Sequence, residues 1–117
     1  MTTLSPTAAA EFSPELFADA FPFHIVFDET LTVRQVGRSI PKILPELMPG
    51  VNLTQVLRIE YPNVAAEFHL LVSNRDLLFV LSAKDGQVRL RGEMVPMPDQ
   101  KLAVLLASPW LTDPSGM

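Results

Sequence analysis

The 117-residue chain contains no cysteine. That single absence removes a disulfide framework, a thiolate metal site and a cysteine nucleophile. Its five glycines are scattered, so no run of neighbouring backbone N–H groups can form a glycine-rich phosphate loop. Long apolar runs are missing as well. Runs such as Leu77–Leu81 and Leu102–Ala107 fall far short of the roughly 20 residues that cross a bilayer. Basic charge is scarce: nine Lys and Arg stand against 13 Asp and Glu, for a formal net charge of −4. A nucleic-acid binder carries the opposite balance. Residues Met1 to Ala10 have neither the basic start nor the apolar stretch of a secretory signal. These absences describe a cytoplasmic protein with no nucleic-acid partner and no membrane partner.

Proline is what the chain has in excess. It has eleven, nearly twice the usual share of about 5%. A hydrophobic fraction of 48% with a small net charge excludes disorder. The length fits one domain, able to bury roughly two thirds of its unfolded surface. The prolines then act as punctuation. Ser13-Pro14-Glu15 has the cap, the first-turn proline and the first-turn acid of a helix start, which predicts a short helix from Pro14 to Ala20, stopped by Pro22. Phe23, Ile25 and Phe27 alternate as in a strand. After the polar turn Asp28-Glu29-Thr30, Leu31, Val33 and Gln35 alternate in a second strand that Gly37 closes. Ile40, Ile43, Leu44, Leu47 and Met48 form a helical stripe. Pro45 interrupts it, so a kink or tightening is expected near Leu44. Asn52-Leu-Thr-Gln55 resembles a capping box and predicts a helix to about Leu57. Pro62-Asn63 opens a third helix lined by Val64, Phe68, Leu71 and Val72.

Three further strands follow. Asp76 to Ser82 reads as a strand covered on both faces or at the centre of the sheet, Asp85-Gly86 as a hairpin turn, Val88 to Met94 as a strand with one wet face, and Pro96 to Gln100 as a turn into a last strand, Lys101 to Ser108. The expected fold class is α+β: a five-stranded antiparallel sheet with short helices on one face and an N-terminal helix. Residues 1–12 are expected to be a flexible leader, 13–110 the folded domain, and 111–117 the start of a linker to a further domain.

Few residues suggest chemistry. His24 lies in a strand and His69 on a helix, 45 positions apart, with no acid at ligand spacing. Both read as structural or surface residues. No nucleophile motif surrounds any serine; Ser39, Ser73, Ser82 and Ser108 sit at element ends, where capping explains them. Asp28 and Glu29 are turn residues rather than an acid/base pair. Asn52-Leu53-Thr54 matches a glycosylation acceptor, but helix capping accounts for it. Arg89, Arg91 and Glu93 share one strand face, which is either a solvated, cross-strand paired surface or a partner-binding one. The N-terminal stripe says more. A seven-residue helix is unstable alone in water, so Phe12, Leu16, Phe17, Phe21 and Phe23 must dock on their own sheet or on a second copy. They form a candidate dimer interface. Ile25, Phe27, Leu78, Val80, Leu90 and Met94 form a candidate core pocket, which ordinary packing explains equally well.

The element order resembles that of PAS domains, whose layers profilin-like and roadblock-like domains share. Two runs are more specific. FPFHIVFD (Phe21–Asp28), followed by Leu31, Val33, Gln35 and Gly37, resembles the opening of the haem-NO-binding-associated (H-NOXA) family. LRGEM (Leu90–Met94) is similar to that family's late L-R/K-G-Q-M motif, and Ser108-Pro109 to the S-P that closes its last strand. Pro45, Gly50 and Pro62 fall at plausible places between, and Glu93 departs from the usual glutamine. The resemblance implies a non-catalytic regulatory domain of soluble guanylate cyclases or bacterial signalling histidine kinases. It would pair with itself or with a homologous subunit and relay a signal between a haem/NO-sensing H-NOX domain and an output domain. No cofactor is implied for this domain itself. The alternative is a PAS-type small-molecule sensor with a ligand cavity.

Overall fold

The computed structural model describes residues 19–97, 99 and 101–109. Among them run six strands: β1 (His24–Asp28), β2 (Val33–Val36), β3 (Leu57–Tyr61), β4 (Phe79–Ala83), β5 (Arg89–Met97) and β6 (Leu102–Pro109). They form one sheet in the order β2-β1-β6-β5-β4-β3, with every neighbouring pair antiparallel. Three short helices, α1 (Ile40–Ile43), α2 (Leu53–Val56) and α3 (Phe68–Ser73), lie between β2 and β4 in the chain.

The core follows from strand alternation. Ile25 and Phe27 of β1, Phe79 and Leu81 of β4, Leu90 and Met94 of β5, and Ala103 and Leu105 of β6 are buried on one face. Ile40, Leu44, Leu47, Leu53 and Leu71 cover them from the helical layer. Phe27 meets Phe68 of α3 edge to face, with ring centroids 6.1 Å apart and planes at 81°, the arrangement aromatic quadrupoles favour.

The antiparallel α+β layout matches expectation, but the sheet has six strands where five were expected. The extra one is β3. The capping box at Asn52 starts a helix as read, since its side chain accepts from Thr54 N–H and Gln55 reaches back. That helix lasts one turn, and Leu57 then adopts extended φ/ψ. From there Leu57 and Ile59 face the core while Arg58 is exposed, the period of a half-buried strand. The third helix begins at Phe68 instead of Pro62. Residues 62–67 bond as tight turns, Val64 N–H to Pro62 C=O and Glu67 N–H to Ala65 C=O, both 2.9 Å.

Proline effects resolve locally. α1 stops at Ile43, and Leu44 (φ −137°, ψ 73°) leaves the helical region because Pro45 follows it. Leu44 and Leu47 stay buried, while Met48 is exposed. Pro96 was expected in a turn but lies within β5, opposite Ala103. At that point β4 no longer runs beside β5, so proline removes no bond of the β4–β5 ladder. The expected N-terminal helix falls mostly outside the described residues; its last two, Asp19 and Ala20, are helical.

Candidate functional site

Two adjacent strands of the sheet bring the start of β1 and the end of β6 together. β1 starts at His24, opposite Leu106, and β6 continues from there to Pro109. The chain therefore enters β1 and leaves β6 at the same end of two adjacent strands.

A knot of polar contacts fixes the point of arrival. His24 is fully buried. Its Nδ1 stands 2.8 Å from the carbonyl oxygen of Phe21, and its Nε2 stands 2.9 Å from Nε2 of Gln35. A carbonyl only accepts, so Nδ1 carries the proton. The bare Nε2 then accepts from the Gln35 amide. Burial pushes the His24 pKa below its ordinary 6.5, outweighing the Phe21 carbonyl, which pulls it up. The ring is therefore neutral near pH 7. Around it, Gly37 N–H donates to His24 C=O at 2.8 Å and Ser39 N–H to Pro22 C=O at 2.9 Å. Gly37 lies so close to the Pro22 and Phe21 carbonyls that a Cβ would collide with them. Arg38 and Asp19 form an ion pair beside the knot.

Gln35 reaches His24 because of a bulge. β1 and β2 shift register between Val26 and Phe27, so Val33 opposes Phe27 while Gln35 opposes Val26. Arg34 is the extra residue. The simple alternation of Leu31, Val33 and Gln35 on one side fails here, and Gln35 moves to the face shared by His24 and Val26. Sequence reasoning missed Gln35 as His24's partner. The available signal was a glutamine in an apolar strand pair that also holds a buried histidine.

The turn before β2 is tightly tied as well. Asp28 Oδ1 accepts from Thr30 N–H (2.9 Å), Thr30 Oγ1 (2.7 Å) and Thr32 N–H (3.1 Å). Partial burial raises the Asp28 pKa, but these bonds and Arg34 at 3.5 Å together hold it below its ordinary 3.8. Asn52 donates to Thr30 C=O across 2.8 Å, linking the turn to α2 and confirming a structural role for its side chain.

Of the candidate interface residues, Phe12, Leu16 and Phe17 lie outside the described residues. Phe21 is 39% exposed, while Phe23 is half-buried against the core. Of the candidate pocket residues, Ile25, Phe27, Leu90 and Met94 pack into the continuous core. Leu78 and Val80 do not belong with them. The inward register of β4 runs through Phe79, Leu81 and Ala83, one residue out of step with that expectation, and such a slip reverses the face. Leu78 is 46% exposed. His69 is exposed beside Glu67 at 3.6 Å. Among the described residues no group of three or more acids or histidines could hold a metal ion. No described helix is long and apolar enough to cross a membrane. Arg91 and Glu93 are exposed on the sheet face away from the helices, and Arg89 pairs there with Glu60 at 3.4 Å.

The residues of the knot are the ones that resembled a family opening, and a family-wide comparison agrees. A family model described as "Heme NO binding associated" matches residues 10–89. The chain belongs to the haem-NO-binding-associated family. The match takes in Pro22, His24, Gln35 and Gly37, and it ends one residue before the LRGEM run. Curated relatives include the soluble guanylate cyclase subunit beta-2 of Rattus norvegicus, 32% identical over 106 residues, which covers 81% of this chain and 16% of the relative. The soluble guanylate cyclase subunit alpha-2 of Homo sapiens is 27% identical over 112 residues, covering 87% and 15%. The soluble guanylate cyclase gcy-35 of Caenorhabditis elegans is 29% identical over 115 residues, covering 87% and 17%. The chain thus spans about a sixth of the length of these relatives. What it shares with them is the haem-NO-binding-associated domain.

Proposed function

We propose that this haem-NO-binding-associated domain is a cytoplasmic, non-catalytic regulatory module. It pairs with a second copy or a homologous subunit. It relays a conformational signal between a haem/NO-sensing domain before it and a guanylate cyclase or histidine kinase output domain after it. The observation that carries this reading is the likeness to both alpha and beta subunits of soluble guanylate cyclase. The geometry supplies a route. Phe21, exposed at the end of the N-terminal stripe, is tied through its carbonyl to His24, the first residue of β1. β1 is hydrogen-bonded to β6, whose end leads out of the domain. A shift of the N-terminal segment therefore acts, through the short turn at residues 21–23, on the strand beside the exit strand. Phe12, Leu16, Phe17 and Phe21 supply the apolar stripe for pairing, with Phe23 anchoring it to the core. Residues 1–12 would precede the module and 111–117 would lead away from it.

Sedimentation velocity of the chain tests the pairing. A dimer that Phe17→Glu converts to monomer is the expected outcome. A strict monomer at high micromolar concentration would refute it.

A further inference from the structure

We propose that the outer face of the sheet, across β3, β4 and β5, carries a site for a phosphoryl group, built from Arg58, Ser82, Arg89 and Arg91. This proposal is independent of the pairing proposed above.

The register places these side chains together. Arg58 of β3 opposes Ser82 of β4, and Ser82 opposes Arg89 of β5. Directly opposed residues share a face, so the serine stands between two arginines, each one strand away at about 4.8 Å. Arg91 lies two residues along β5 on the same face, roughly 7 Å from Arg89. It opposes Val80 on one side and Ser108 on the other. Tyr61 shares that row through Val80 and is 52% exposed.

Ser82 makes the cluster more than a charged patch. The residue is only 3% exposed, and its Oγ has no hydrogen-bond partner. A buried hydroxyl left unpaired is a net cost to the fold, and hydroxyls placed like this are normally satisfied. Here its neighbours across both strands are guanidinium donors, which cannot accept its proton. An anion held between the arginines can.

Charge selects the ligand. The chain is net acidic, at −4, yet the described residues of this corner gather three guanidiniums, with Glu60 3.4 Å from Arg89. Glu93 lies two residues beyond Arg91 on the same face and bounds the cluster. Arg58 makes no ion pair among the described residues. Arg89 and Arg91 have interactions of their own, so an incoming anion competes for arms already in place. Three planar forks and a hydroxyl offer more donors than the two oxygens of a carboxylate can accept. A tetrahedral phosphate dianion takes them. Exposed side chains rearrange on the nanosecond scale, so the Arg58 and Arg91 arms can fold over the ligand and admit one of its oxygens to Ser82.

The test is an amide NMR titration of the 117-residue chain with inorganic phosphate, at ionic strength held constant with sodium chloride. Saturable shifts at the amides of Arg58, Ser82, Arg89 and Arg91 are expected, with none in chloride alone. Arg58→Gln and Arg91→Gln should each weaken binding about tenfold, the effect of one charge-assisted bond. Ser82→Ala should weaken binding while raising the melting temperature, a combination that mere structural damage does not give. Shifts that are linear and equal in chloride, or affinities unchanged in both arginine variants, would overturn the proposal. A phosphoserine peptide and its unphosphorylated twin separate the sources. Tighter binding of the phosphopeptide than of inorganic phosphate points to a phosphorylated partner, and equal or weaker binding to a free phosphate. Binding of the unphosphorylated twin as tight as that of the phosphopeptide would count against a phosphoryl site.

Discussion

His24 donates its Nδ1 proton to the carbonyl oxygen of Phe21 across 2.8 Å. This one bond ties the segment that precedes the sheet to the first residue of β1. It also fixes the tautomer that lets Nε2 accept from Gln35. Everything proposed for signal passage runs through this contact.

His24 makes stability pH-dependent. Its folded pKa lies below 6.5, so above that pH both folded and unfolded states hold a neutral ring and the full stability is present. As pH falls below about 6.5 the unfolded chain takes up a proton that the fold refuses, and stability drops. Protonation would also set an Nε2–H against the Gln35 amide donor. Urea unfolding at pH 7.5 and 5.5 should show a loss at the lower pH that His24→Phe abolishes. That variant should itself cost about 1 kcal/mol at pH 7.5, because it leaves the half-buried Gln35 amide without its partner. Asp28 acts in a separate window. Its folded pKa is lowered from 3.8, so its contribution persists above that value and fades only as the pH falls through the folded pKa.

Two glycines should tolerate no side chain. At Gly37 a Cβ would run into the carbonyl of Pro22, and at Gly92 into the carbonyl of Leu106. Both obstacles are backbone and cannot rotate away. Gly37→Ala and Gly92→Ala should each destabilise the fold by about 3 kcal/mol or more. Gly50→Ala meets no neighbour but sits at φ +96°; it should cost about 1 kcal/mol. Thermal unfolding of the three variants checks this order.

Asn52 should behave as a cap and a tie together. It accepts from Thr54 N–H at 3.0 Å and donates to Thr30 C=O at 2.8 Å. Asn52→Ala should cost about 2 kcal/mol, the upper end for a lost cap, with Asn52→Asp recovering only part, since a carboxylate accepts but does not donate. Chemical denaturation of both variants checks it.

These sites differ in how far the sequence announced them. The capping box at Asn52 and the turn at Asp28 are local, built from residues two or three apart, and both were legible. The hairpin partners and the inward positions of β1 and β5 followed from period-two alternation. Three features were not local. The β2 bulge that brings Gln35 to His24 depends on pairing with β1. The inward register of β4 is hidden in the run Leu77–Leu81, where every position is apolar and periodicity carries no information. β3 was obscured by the capping box before it and Pro62 after it, which together suggest helix. The empty bond at Ser82 required knowledge of the strands on both sides.

The central claim is that this domain works by pairing through its N-terminal stripe. Sedimentation velocity of the intact chain at about 10 to 500 μM decides it. The account predicts a species of twice the 12.9 kDa chain mass, dissociated by Phe17→Glu and weakened by Phe21→Glu with the fold intact by circular dichroism. A monomer across that range, or a dimer that both variants leave unchanged, would contradict it.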